Sequence, residues 1–451
     1  MNPNLKELVR AIVKREVSPV EVAQMYLERI ASLNPALNAI VTVAPDVLDR
    51  ARAAEAALMR RDAAGALYGV PVTIKDTIET AGLRTTSGSK IRADFVPTTD
   101  APAVARLRAA GAIILGKTNA AEMAMDYTAD NPVFGRTNHP HDHALTPGGS
   151  SGGEAVAIAT GMSPCGIGSD LAGSVRIPAH FCGIAGLKPT TGRVPGEGQF
   201  PPSTGPYGLG AVIGPMARKV EDLRLLFQVL SGHASEPLLK GVRVAWYCDD
   251  GVAPVTEETS AAVQSAARVL AEEELVVEER RPPHVERGNE LWLKLFSRAS
   301  VVQLRQVYAG RESEGGSFVS WRLATSDQTP APTLDEYIAS WMERDRLREE
   351  LLRWMETTDI IIAPVGATPA YEHDTLKVTV RGETFGTFRA FSYAQTFNVF
   401  DLPVVTVPAG RSAAGLPIGV QIVGRPHEED MVLSVAEIVE QELSSVIFRQ
   451  D

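Results

Sequence analysis

The sequence predicts an α/β protein, with a mixed, mainly parallel central sheet covered by helices on both faces. Three observations point there. Short β-rich runs alternate with helical runs along the first 115 residues, the rhythm of strand–helix–strand crossovers. Isolated apolar runs return late in the chain, at 360–363, 404–407 and 418–423, too short for buried helices. Hydrophobic residues make up 44% and charged residues 22% of 451 residues, so the chain can bury a large core without disulfide or metal staples.

The elements follow in order. Residues 5–14 read as a helix. The next opens at Ser18-Pro19-Val20-Glu21, a capping box with proline at the first helical position, and runs through Ile30 and Leu33. The run LYGVPVTI (67–74) reads as a buried strand delivering Lys75 and Asp76 at its end. Residues 101–110 are helical, Gly111 closes that helix, and 112–115 form a second buried strand. From 147 to 215 the chain is dense in Gly, Ser and Pro. There, 154–159 is helix-like and 192–214 reads as a loop-rich rim. A helix at 221–230 and a strand at 242–247 follow, then helices near 257–270, 289–308 and 334–354, with a Gly/Ser/Pro-rich stretch at 310–332. Residues 239–356 read as a variable helical lobe or lid within a single domain spanning 1–451. The last helix lies near 431–443.

The formal net charge of −11 argues against a broad nucleic-acid or anionic-membrane surface, so neither partner is expected. Cys165, Cys182 and Cys248 lie far apart with no CxxC pair, as fits reduced thiols. Residues 1–10 are polar and charged, and no apolar run approaches the ~20 residues of a spanning helix. A cytoplasmic location is expected.

The chemistry concentrates in TPGGSSGGEAVAIA and, further on, GIGSDLAGSVRIPAHFCGIAGLKPTTGRVP. Ser150 and Ser174 each follow small residues in glycine-rich turns. Such turns let backbone approach a substrate and leave successive N–H groups free to point at one place, which an oxyanion hole requires. Other readings of these residues exist. GGSSGG has linker composition, although predicted core elements flank it. Gly148-Gly149-Ser150-Ser151-Gly152 also satisfies the GxSxG elbow of α/β-hydrolase-like esterases, with Ser150 as nucleophile and His427 as a distant partner. That reading leaves SDLAGS and the lysine strand without a role. His139, His141 and His143 alternate as zinc ligands on a strand would, although a polar loop role accounts for them as well and no metal is expected.

Taken together, GGSSGG, SDLAGSVRIPA and VTIKD resemble the amidase signature family. The resemblance extends over nearly the whole chain through TNAAEMAM (118–125), GPMARKVEDL (214–223) and LPIGVQIVGRP (416–426). It implies a free-standing, bacterial-type serine hydrolase that cuts an amide C–N bond, with Ser174 as nucleophile, Ser150 as proton relay after a cis peptide bond at Gly149–Ser150, and Lys75 as base. Backbone N–H groups of Leu171, Ala172, Gly173 and Ser174 would form the oxyanion hole, supported by Gly149, Ser151, Asp170 and Arg176. A lysine serves as base only when neutral, and burial favours the neutral form.

The family's substrates include amides, anilides and carbamates, so urethanase activity is within range, with no cofactor. A monomer or homodimer acting on a small molecule is expected. One branch is the glutamine-hydrolysing subunit of a tRNA-dependent amidotransferase. That branch typically carries an aspartate seven residues before the residue matching Asn398, where this chain has Phe391. The substitution points instead to an apolar pocket for an aryl or alkyl acyl group, built from Met125, Phe388, Phe391, Tyr393 and Phe397. Ala172 stands where many relatives carry glycine, slightly narrowing the oxyanion turn.

Overall fold

The computed structural model describes residues 3–60, 65–328 and 330–447. Thirteen strands lie among them: β1 (Ile40–Val43), β2 (Pro71–Lys75), β3 (Ile113–Thr118), β4 (Cys165–Asp170), β5 (Ala185–Lys188), β6 (Val212–Ala217), β7 (Arg243–Trp246), β8 (Val276–Glu279), β9 (Ile360–Pro364), β10 (Lys377–Val380), β11 (Glu383–Gly386), β12 (Val404–Arg411) and β13 (Pro417–Val423). Eleven form one sheet in the order β1-β3-β2-β4-β6-β5-β12-β13-β9-β7-β8, and β10 and β11 form a separate hairpin.

The α/β class and the mixed sheet are as expected, but parallel pairing is the minority. It is confined to two blocks, β3-β2-β4 and β9-β7-β8. Between them β4, β6, β5, β12, β13 and β9 pair antiparallel, as does β1 with β3 at the edge. The β12–β13 hairpin accounts for part of this, because a tight turn reverses direction where a helical crossover would preserve it.

Both faces of the sheet are buried. Along β9, Ile360 and Ile362 join a core cluster with Leu226, Val263 and Val435. Ile361 and Ala363 join a second cluster, on the other side, with Leu291, Phe296 and Leu351. A strand covered on both sides reads as an unbroken apolar run, which is why IIIA was visible in the sequence.

Helix starts also follow local chemistry. Ser18 caps Pro19–Leu37 with a reciprocal capping box to Glu21, and Thr333 does the same for Leu334–Trp354 with Glu336. The Gly-rich region from 147 to 215 holds more regular structure than its composition suggests: β4, β5 and β6 together with helices Gly152–Ala159 and Arg176–Cys182. Gly166 shows why. A Cβ there would lie 2.0 Å from Glu154 Oε1 and 2.5 Å from the Thr73 carbonyl. The strand is glycine-rich because its neighbours are close, and composition alone makes it look like a loop.

Within 239–356, β7, helix Glu257–Glu272 and β8 belong to the central sheet as a parallel crossover unit. The helical part of that segment therefore begins at Val285, and the stretch at 310–332 contains helix Ser317–Gln328. Among the described residues no helix is long and apolar enough to cross a membrane.

Candidate active site

The parallel register of β2 and β4 pairs Thr73 with Gly166 and Ile74 with Ile167. The carboxyl ends of these neighbouring strands therefore emerge together, carrying Lys75 on one and Ser169 and Asp170 on the other. The carboxyl end of parallel strands is where α/β sheets bind ligands.

Lys75 is fully buried. Its Nζ lies 2.6 Å from Ser150 Oγ and 2.9 Å from Ser169 Oγ. Burial pulls its pKa down to about 7, against the opposing pull of Asp170 and Glu154. Glu154, on the helix that follows Ser150, is also fully buried and bonded to Thr73 and Thr118 (2.8 Å). Burial pushes its carboxyl up to about 7.

The two serine turns meet beside this lysine. The Gly149–Ser150 peptide bond is cis. Gly149 admits no larger residue, since a Cβ would lie 2.0 Å from the Thr128 carbonyl oxygen. Ser174 occupies the turn between β4 and helix Arg176–Cys182. Ser151 joins the turns: its N–H donates to the Ser174 carbonyl at 3.2 Å, and its Oγ donates to the Ser169 carbonyl at 3.3 Å. Ser150, Ser169 and Ser174 line one cavity, together with Thr77, Gln199 and Tyr207. Ser174 also lines an adjoining cavity walled by Met125, Tyr127, Trp292, Phe318 and Phe388.

An ion pair stiffens the Ser174 turn from below. Asp170 accepts the N–H of Gly173 at 2.9 Å and of Val175 at 3.1 Å, and Arg176 grips both its carboxylate oxygens. Arg176 is fully buried, and its remaining donors go to Ala394 O, Gln421 Oε1 and Asn398 Oδ1. Burial alone would raise the Asp170 carboxyl. The guanidinium, with Lys188 and Asn398, outweighs it and holds the group below the usual carboxylate range.

The four N–H groups expected to form an oxyanion hole differ in their surroundings. The Gly173 N–H is committed to Asp170, and Gly173 lines neither cavity. Leu171, Ala172 and Ser174 do line the walled cavity, and among the described residues their N–H groups meet no acceptor. The carbonyls of Leu171 and Ala172 accept Trp292 Nε1 (2.9 Å) and the Tyr127 hydroxyl (3.1 Å).

The family-model comparison decides the relationship: the model described as Amidase matches residues 21–433. The chain belongs to the amidase signature family. Across the whole chain, this amidase is 33% identical to a glutamyl-tRNA(Gln) amidotransferase subunit of Synechococcus sp. (strain JA-2-3B'a(2-13)), covering 97% of this chain and 91% of that protein. It is 34% identical to fatty-acid amide hydrolase 2-A of Danio rerio, covering 96% and 87%. A crystal structure of an amidase matches with a TM-score of 0.90 at 28% identity, over 98% of this chain and 100% of that one. The amidase is accordingly an enzyme of amide C–N bonds.

The residues expected in the substrate pocket divide between the cavity wall and the core. Met125 lines the walled cavity, but Phe391, Tyr393 and Phe397 do not. All three are fully buried in the core behind it, where Phe391 packs edge-on against Tyr127 with ring centroids 4.8 Å apart. Phe388, three residues before Phe391, takes the lining position. Ser169, Tyr127, Trp292, Phe318 and Arg322 were not singled out from the sequence. Only Ser169 had a signal, as the residue that opens SDLAGS. His427 lines neither cavity, and no histidine among the described residues does, so Ser150 has no imidazole partner of the elbow type. His139 is buried with Nε2 2.9 Å from the Phe181 carbonyl and Nδ1 accepting the His141 N–H, which uses both ring nitrogens.

Proposed function

We propose that this amidase hydrolyses linear amides, and by the same chemistry aryl carbamates, through an acyl-enzyme on Ser174. The observation that carries the reading is the buried contact of Lys75 Nζ with Ser150 Oγ at 2.6 Å, by a lysine whose pKa is lowered to about 7. Near neutral pH a substantial share of that amine is unprotonated and can accept a proton.

In the proposed cycle Lys75 takes the Ser150 hydroxyl proton, Ser150 takes that of Ser174, and Ser174 Oγ bonds to the carbonyl carbon. The N–H groups of Leu171, Ala172 and Ser174 receive the developing oxyanion. The proton returns through Ser150 to the nitrogen, the C–N bond breaks and the amine leaves. Water then repeats the attack, which releases the acid and restores the Ser174 hydroxyl.

Because Ser150 delivers the proton, the leaving amine belongs in the cavity that Ser150 lines, and the acyl group belongs in the walled one. The aromatic walls Tyr127, Trp292, Phe318 and Phe388 support an aryl or alkyl acyl group.

The relationship to an amidotransferase component favours a second reading, in which the chain works within an assembly. The fully buried Phe391 leaves no carboxylate at that position for glutamine's amine, which argues for the free-standing enzyme.

Intact-mass labelling with a fluorophosphonate tests the proposal. Labelling of the wild type that is lost in Ser174→Ala and slowed in Ser150→Ala and Lys75→Ala is the expected result. Labelling that survives Ser174→Ala would overturn it, and a stably co-purifying partner would move weight to the second reading.

A further inference from the structure

The walled cavity beside Ser174 is narrow, about 40 Å³. A buried apolar cavity of about 150 Å³ is what holds a benzene ring. An acyl group larger than a short alkyl chain therefore fits only where a wall yields. Separate stretches of chain build those walls. Residues 124–127 form one side, helix Arg298–Val307 brings Ser300, and helix Ser317–Gln328 brings Phe318.

One carboxylate ties these stretches together. Glu122 is buried, two residues before Ala124. Its Oε1 accepts the Tyr308 hydroxyl at 2.6 Å, and Tyr308 caps the end of helix Arg298–Val307. Its Oε2 accepts the Gly316 N–H at 2.8 Å, and Gly316 leads into helix Ser317–Gln328. A Cβ at Gly316 would lie 2.6 Å from that oxygen, so the approach is as close as glycine allows. Ser89 Oγ lies 2.5 Å from the Tyr308 hydroxyl and fastens the same point to the loop that follows β2. Burial raises the Glu122 carboxyl, and the bonds from Tyr308 and Gly316 oppose that by favouring the charged form. The backbone next to Glu122 is strained: Met123 and Ala124 have φ of 56° and 58°, a left-handed conformation that side-chain-bearing residues seldom adopt. The apolar packing around the tie is a small cluster of Met123, Leu304, Tyr308 and Val319, apart from the two main cores.

We infer that Glu122 is a positioning residue that sets the size of the acyl group. While it joins Tyr308 to Gly316, the two helices stay close to residues 124–127 and the cavity suits a short alkyl acyl group. A longer chain or an aryl ring enters only by spreading those walls against the tie. This rests on the reading in which the acyl group occupies the walled cavity. Glu122 lines neither cavity, so it acts through the walls, and its loss changes which amide is cut rather than the chemistry at Ser174.

Release of 4-nitroaniline from the anilides of acetic, butyric, hexanoic and benzoic acid tests it, since the leaving amine is constant. The wild type should favour the acetyl and butyryl members. Tyr308→Phe removes the hydroxyl and keeps the ring in its cluster, and Glu122→Gln keeps the shape and loses the charge. Each should lower KM for the hexanoyl and benzoyl members by roughly three- to tenfold, the range for one hydrogen bond, while kcat and the acetyl member stay nearly unchanged. Variants that slow all four members alike would overturn the inference, as would unchanged ratios in both variants or a wild type that prefers the hexanoyl or benzoyl member. If none of the four is turned over, the same comparison is read from the rates at which methyl and hexyl fluorophosphonates label Ser174. A hexyl-to-methyl ratio raised by the same factor in Tyr308→Phe would support the inference, and an equal ratio would overturn it alone. Loss of Ser174 labelling in the wild type would overturn the underlying reading and the inference with it.

Discussion

Ser169 Oγ stands 2.9 Å from Lys75 Nζ, giving the buried amine a second serine beside Ser150. Two acceptors fix the direction in which the lysine points, and Ser169 reaches it from the strand that leads into the Ser174 turn.

Ser169→Ala should therefore lower kcat by roughly ten- to a hundredfold, the range for losing one hydrogen bond to a charged group, with little change in KM. Steady-state kinetics beside a thermal melt check this. A variant that melts like the wild type and turns over at the wild-type rate would remove Ser169 from the lysine's support.

The pH profile follows from the lysine. Only the unprotonated amine can accept a proton, so kcat/KM should rise with pH and level off above an apparent pKa of about 7. The Glu154 charge opposes the effect of burial by raising the Lys75 pKa. Glu154→Gln removes that charge, so the rising limb should move to lower pH. A limb that stays in place or moves to higher pH would show that Glu154 does not act on Lys75 electrostatically.

Arg176 offers a test of stability. Its removal strands the Asp170 carboxylate in a fully buried site. Arg176→Met should cost about 3–5 kcal/mol in urea unfolding. Asp170→Asn combined with Arg176→Met should cost less than the two single changes added together, because no lone charge is then left inside.

Gly149→Ala probes the Ser150 turn. The added methyl would meet the Thr128 backbone at 2.0 Å, a rigid neighbour rather than a flexible side-chain end. Overpacking of this kind typically costs about 1–3 kcal/mol, and here the displaced segment carries Ser150. Thermal melting and fluorophosphonate labelling should fall together. A variant with a wild-type melt and wild-type labelling would contradict the packing described.

Much of this was legible in the sequence, and what was missed has physical reasons. Fully buried strands such as β9 and β13 announced themselves because both faces need apolar residues. β4 did not, because Gly166 and Gly168 make room for Glu154 and Ser151, and glycine there looks like loop. Lys75, Ser150 and Ser174 stood in blocks whose order carried the family resemblance. The cavity wall was harder to find. Tyr127, Trp292, Arg322 and Phe388 come from four separate stretches that converge only in three dimensions. Phe391 and Phe388 are both apolar aromatics three positions apart, so composition could not say which one faces the cavity.

The clamp under Ser174 joins the two ends of the enzyme's construction. Arg176 is held by Ala394, Asn398 and Gln421, residues 218 to 245 positions further along the chain. As the polypeptide is made, the lysine strand and both serine turns emerge well before the groups that lock the Ser174 turn into shape. On the proposed mechanism, a growing chain thus carries Ser150 and Ser174 before helix Ser392–Val399 and strand β13 supply the groups that hold the Ser174 turn. Groups made late thus act as the safety catch on a turn made early.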